Sequence, residues 1–149
     1  MFRWCGRLRA KINSMKGNQQ FEDLILQHFG DVMQDYDLEI RNVRWDEIQM
    51  YNDKCIVRFI YMEGMVVCDF IDPEVKKARE AVKRKDGFPS GFPVYSIYSV
   101  QKLLYPDDKT DYSSRDQTME AQIISLKKQL LERFTHVLKG DFSWTTLYR

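Results

Sequence analysis

The sequence predicts an α+β domain: a mostly antiparallel sheet of about four strands, with helices packed on one of its faces. Three observations carry this. Apolar residues recur at helical spacing near both ends of the chain, over 21–32 and 119–138. Between them, residues 37–72 switch to a period of two. Two strongly apolar runs, 55–62 and 65–72, are separated only by Glu63-Gly64, which predicts a tight hairpin at the centre of the sheet. Helix, strands, then helices in this order segregate the helices on one side.

The first helix follows from Phe21, Leu24, Ile25, His28/Phe29 and Val32, which share one helical face. Asn18 fits an N-cap, because its side-chain oxygen can accept from a first-turn amide, and Gly30 either ends the helix or weakens it. Leu38/Ile40 and Ile48/Met50 alternate with polar neighbours as two short strands, and Asn52-Asp53 marks the next turn. A two-residue loop at Glu63-Gly64 pairs Met62 with Met65, Tyr61 with Val66, Phe59 with Cys68 and Val57 with Phe70, which gives one wholly apolar face. On the other face the same register sets Arg58 opposite Asp69, between Ile60/Val67 and Ile56/Ile71. The turn alone fixed this register, so the meeting of the two lone charges supports it independently, and a structural ion pair is the expected role.

After Asp72-Pro73, residues 74–85 read as a polar, basic helix or loop, with Lys76, Lys77, Arg79, Lys83, Arg84 and Lys85 against Glu74 and Glu80. Asp86-Gly87, Pro89-Ser90-Gly91 and Pro93 break the chain into a loop over 86–93. A second helix is expected to begin at Pro93 and run through Val94, Ile97, Val100, Leu103 and Leu104 until Tyr105-Pro106 stops it. An acidic connection over 107–116 follows. Ser114 and Gln117 have capping-box spacing at the start of a long C-terminal helix over 115–138. That helix carries Met119, Ile123, Leu126, Leu130, Phe134 and Val137 on one face and is stopped by Lys139-Gly140; its expected packing partner is the hairpin.

Composition bounds the rest. The chain has 149 residues, 44% of them hydrophobic, enough to build one core, and we expect one α+β domain over 18–149. The net charge of +1 is unevenly spread: residues 1–17 hold Arg3, Arg7, Arg9, Lys11 and Lys16 and no acid, which leaves 18 basic against 22 acidic side chains beyond them. A basic, mobile arm ahead of a mildly acidic body is the expectation, with Met15-Lys16-Gly17 as an alternative start. The arm has no continuous apolar stretch that would make a signal peptide, and residues 56–71 contain Arg58, Glu63 and Asp69, unlike a membrane span. A cytosolic protein is expected. Cys5, Cys55 and Cys68 form an odd set without a C-x-x-C pair, so free thiols are expected.

No set of residues predicts catalysis. His28 and His136 each stand alone on a helix, without zinc-ligand spacing, and read as structural histidines. Cys68 points onto the apolar face, where burial makes a thiol inert; Cys55 lies near a strand start and Cys5 in the arm, where it should alkylate most readily. Two prolines in and beside Gly87-Phe88-Pro89-Ser90-Gly91 remove amides that a phosphate cradle needs, and Asp107, Asp108 and Asp111 lack the pattern of a calcium loop. No metal and no cofactor is expected.

The succession of an amphipathic helix, a hydrophobic hairpin, Phe92-Pro93-Val94-Tyr95 and a final helix closing in Leu138-Lys139-Gly140-Asp141-Phe142-Ser143 resembles small immunity proteins of bacterial polymorphic toxin systems over residues 21–143. The resemblance implies a stoichiometric, non-enzymatic binder that occludes the active site of a toxin, often a nuclease. It assigns no functional position. From the residues themselves, the acidic stretch with interleaved aromatics, Tyr105, Asp107, Asp108, Asp111 and Tyr112, is the expected contact for a basic protein partner such as a toxin domain. The alternative is a nucleic-acid-associated accessory protein using the basic arm and residues 76–85, whose binding would weaken steeply with salt. A carboxylate-only enzyme ranks last.

Overall fold

Glu63 and Gly64 set the register of the sheet. Both take positive φ, 52° and 78°, the type I′ geometry whose twist matches that of the flanking strands. The computed structural model describes residues 19–82, 84–88, 91–112 and 118–148. In chain order these form α1 (Gln19–Asp35), β1 (Glu39–Arg44), β2 (Glu47–Tyr51), β3 (Ile56–Met62), β4 (Met65–Ile71), α2 (Pro73–Glu80), β5 (Tyr95–Ser96), α3 (Ile97–Leu104), α4 (Met119–Arg133), α5 (Thr135–Leu138) and a 3₁₀ turn, Ser143–Tyr148. The architecture is α+β: a five-stranded antiparallel sheet in the order β1-β2-β3-β4-β5. The hairpin register holds at every predicted pair, from Met62 opposite Met65 to Val57 opposite Phe70, with Arg58 opposite Asp69.

The core lies between one face of this sheet and the helices. Phe29 packs on Phe59 with ring centroids 4.9 Å apart, Phe21 on Tyr61 at 5.7 Å and Phe134 on Phe70 at 5.4 Å. Val57, Phe59 and Phe70 are fully buried beneath them. Gly30 does not end α1, which runs on to Asp35. Asn52 then ties the helix end to the sheet: its amide donates to the Tyr36 carbonyl, and its side-chain oxygen accepts from the Lys54 and Cys55 amides.

The opposite face carries a polar row. Arg41, Gln49, Arg58, Asp69 and Ser96 are successive cross-strand neighbours on β1 to β5. Arg41 Nε donates to Gln49 Oε1 (2.7 Å), Gln49 Nε2 to Glu47 Oε2 (2.9 Å), and the Arg58 guanidinium to Asp69 Oδ2 through Nη2 (2.7 Å) and Nε (3.2 Å). The Arg58–Asp69 contact is the predicted ion pair, on a carboxylate that is almost wholly buried.

Three boundaries differ from the expectation. The helix expected from Pro93 starts at Ile97, because residues 95–96 pair with β4 as a fifth strand and the Ser96 hydroxyl, on extended backbone, accepts from the Ser99 amide as the N-cap. The long helix expected over 115–138 is α4 plus α5: Thr118 caps its start by accepting from the Ala121 amide, and Phe134 (φ −129°) interrupts it. Its apolar spacing runs unbroken through Phe134, so periodicity gives no sign of the break. The 3₁₀ turn after Gly140 was not foreseen; it buries Trp144 against Tyr95 and Phe142. Asn18, Lys83, Ser114, Gln117, Cys5 and the arm over 1–17 lie outside the described residues.

Candidate functional site

Pro106 follows the last turn of α3, and the chain from Tyr105 to Tyr112 folds back onto the C-terminal end of α4. Asp108 organises it. One of its oxygens, Oδ1, accepts from the Thr110 amide (2.9 Å), closing a tight Asx turn, while Oδ2 accepts from Arg133 Nε (2.7 Å) and Gln101 Nε2 (2.8 Å). The Tyr105 hydroxyl donates to the Arg133 carbonyl (2.9 Å), and the Tyr112 hydroxyl to Glu132 Oε2 (2.7 Å). The loop is thus held to α4 by three side chains, each predicted for partner contact. The hydrogen bond from Arg133, helped by the Thr110 amide, holds the Asp108 carboxyl well below the usual carboxylate range. Burial, then the hydrogen bond to Glu132, raises the Tyr112 phenol.

Of the five predicted contact residues, Tyr105, Asp108 and Tyr112 therefore build the loop, and Asp107 and Asp111 are its exposed carboxylates. The loop separates two concavities. A shallow one of about 490 Å³ lies between Pro106, Asp107 and Arg133. The larger, about 730 Å³, is a groove between β4, α3 and α4, lined among others by Val67, Cys68, Tyr98, Thr110, Leu126 and Gln129. Sequence reasoning missed Arg133, Gln101, Gln122 and Gln129. Nothing in the sequence relates Arg133 to Asp108, 25 positions apart, and glutamines on an amphipathic helix read as solvent-facing.

Asp108 has a testable consequence. Its folded-state pKa is lowered from the ordinary 3.8, so its contribution to stability is complete above that value and is lost as pH falls through the folded pKa. Asp31, held by Lys127, and Asp141, held by Ser143, are shifted the same way. The melting temperature should fall between about pH 4 and about pH 2. In Arg133→Gln it should be lower at neutral pH and fall less on acidification, a comparison made by thermal melts across the pH series.

The histidines and thiols are placed otherwise. His28 does meet an acid, Glu120 at 2.7 Å, where α1 crosses α4, with Lys127–Asp31 (2.9 Å) as a second cross-helix pair. Neither His28 nor Glu120 lines either concavity. His136 lies against the Phe134 ring. Cys55 and Cys68 are buried free thiols; burial, then the Asp72 charge, pushes Cys55 up to about 12, and burial raises Cys68. Among the described residues no three or more His, Cys, Asp or Glu side chains are grouped to hold a metal ion, and no helix is long and apolar enough to cross a membrane.

The basic stretch over 76–85 is partly neutralised from within. Lys76 pairs with Glu80 and lies over the Phe92 ring, and Arg84 pairs with Asp86 at 2.6 Å.

The fold and loop define an α+β domain with an anchored acidic loop beside a groove lined by apolar side chains and glutamine amides. No protein-family model, curated protein or solved structure matches the chain.

Proposed function

We propose that this chain is a non-enzymatic binding protein of the immunity type, which blocks a toxin by docking the 105–112 loop against a basic surface. The observation that carries this reading is the anchoring of the loop: Tyr105, Asp108 and Tyr112 are fixed to α4, so the exposed Asp107 and Asp111 stand on a backbone ordered before binding. Order of that kind removes part of the entropic cost of association, and exposed rim carboxylates speed encounter with a cationic partner. Asp108 is not one of these: it is half-buried and turned to Arg133, where it holds the loop in place. The immunity assignment itself is supported by the order of elements. The nucleic-acid alternative loses support from the internal pairing of Lys76 and Arg84.

The test is affinity capture from the cell that makes the chain, using wild type and Asp107→Asn/Asp111→Asn, followed by association kinetics with the captured protein. The double variant should associate about tenfold more slowly at low salt, and less so at high salt. Equal capture and equal rates would remove the loop from the interface. Capture of nucleic acid in place of protein would favour the alternative.

A further inference from the structure

Among the described residues, half the length of the β4 edge has no strand beside it. Among the described residues, β5 pairs with β4 only at Asp69 and Phe70, while β4 extends back to Met65. Where β5 would continue, the chain turns into α3, and the 730 Å³ groove opens along Met65 to Cys68. Its volume falls within the ~300–1,000 Å³ usual for ligand sites.

One side chain already behaves as a strand there. The Gln122 amide accepts from the Val66 N–H (2.8 Å) and donates to the Gly64 carbonyl (2.8 Å), the pair of bonds that the backbone of a neighbouring strand would make. An amide side chain thus covers the backbone groups that an unprotected edge would offer to another chain. Farther along the groove, Gln129 donates to Gln101 (3.3 Å) and Gln101 to Asp108 (2.8 Å), which places hydrogen-bonding amides along the wall opposite the edge.

We infer that the groove takes an extended segment of the partner, added to β4 as a strand in the place β5 leaves open, with the Gln122 amide as the internal competitor it displaces. This rests on the binding-protein reading above and extends it from the 105–112 loop, which forms one wall of the groove. The occupant's chemistry follows from strand geometry. Side chains opposite Val66 and Cys68 project to the helix side, toward Leu126 and Ile97, and must be apolar; the alternate ones project to the polar face. A cationic residue at the end nearest Asp111 complements the loop. The occupant is an alternating apolar–polar segment with a basic end.

The probe is a blocked, fluorescently labelled octapeptide that alternates valine with threonine and carries an arginine at each end, titrated by fluorescence polarisation. It should bind wild type. N-methylation of every second amide, in the phase that faces β4, should abolish binding, and methylation in the opposite phase should leave it. Thr110→Trp, which fills the groove from an exposed loop position, should weaken binding at least about tenfold, and Gln122→Ala should tighten it at least about fivefold, because the two hydrogen bonds of its amide no longer have to be displaced. A purely structural Gln122 would lower the melting temperature without tightening the peptide. Absence of binding, or binding indifferent to both methylation and Thr110→Trp, would overturn strand addition. If the captured partner is lost by Asp107→Asn/Asp111→Asn but unaffected by Thr110→Trp, strand addition falls and the binding-protein reading stands.

Discussion

Arg58→Met should cost about 3 kcal/mol of unfolding free energy, whereas Arg58→Met/Asp69→Leu should recover most or all of it. The single change leaves the Asp69 carboxylate, 5% exposed, without the cation that donates two hydrogen bonds to it. Removing one member of a buried pair costs about 3–5 kcal/mol, and the lower end applies because a quarter of the Arg58 side chain still meets water. The double change removes the buried charge as well. Its new side chains sit between Ile60/Val67 and Ile56/Ile71, so an apolar strip replaces the pair, an exchange that is often neutral or stabilising. Urea denaturation decides it: the midpoint should drop in the single variant and return in the double, with unchanged slope. If both variants drop alike, the pair contributes more than the burial cost of its own charges.

That ion pair was legible because hairpin geometry is local. Glu63-Gly64 fixes which residues face each other up to seven positions away, and period-two alternation then assigns each to a face. The first helix was legible for a similar reason, since its apolar stripe and its burial coincide. What stayed hidden depends on contacts between segments distant in sequence. Strand β5 is two residues long and exists because β4 offers it an edge; Tyr95-Ser96 alone has no strand signal. The acidic stretch 105–112 stood out by composition, yet its division of labour did not. Asp108 takes its anchoring role because folding brings Arg133 within 2.7 Å and Gln101 within 2.8 Å of it. Gln122 is a helix-surface residue by spacing and an edge-strand partner by position, a role that no periodicity encodes.

Phe134→Ala should be among the most destabilising single changes, about 3–5 kcal/mol, as for other buried phenylalanines truncated to alanine. This is a large share of the ~5–15 kcal/mol that holds a typical domain together. The Phe134 ring is fully buried, with centroids 5.4 Å from Phe70 and 6.0 Å from Tyr105. Phe59→Ala, which deletes an equally buried ring at the α1 side of the core, should cost a similar amount, and Phe88→Ala, at an exposed ring, within about 0.5 kcal/mol of nothing. The two core variants should nevertheless differ at the loop. Phe134 supports the Tyr105 ring directly, and Tyr105 in turn bonds the carbonyl of Arg133, whose guanidinium holds Asp108. Loss of the Phe134 ring should therefore loosen the Arg133–Asp108 contact and return the Asp108 carboxyl toward its ordinary 3.8, while loss of Phe59 should leave it depressed. A carboxyl titration of both variants by nuclear magnetic resonance, under conditions where each remains folded, separates the two. An Asp108 titration unchanged in Phe134→Ala would mean that the loop is ordered by its own hydrogen bonds, without support from the core.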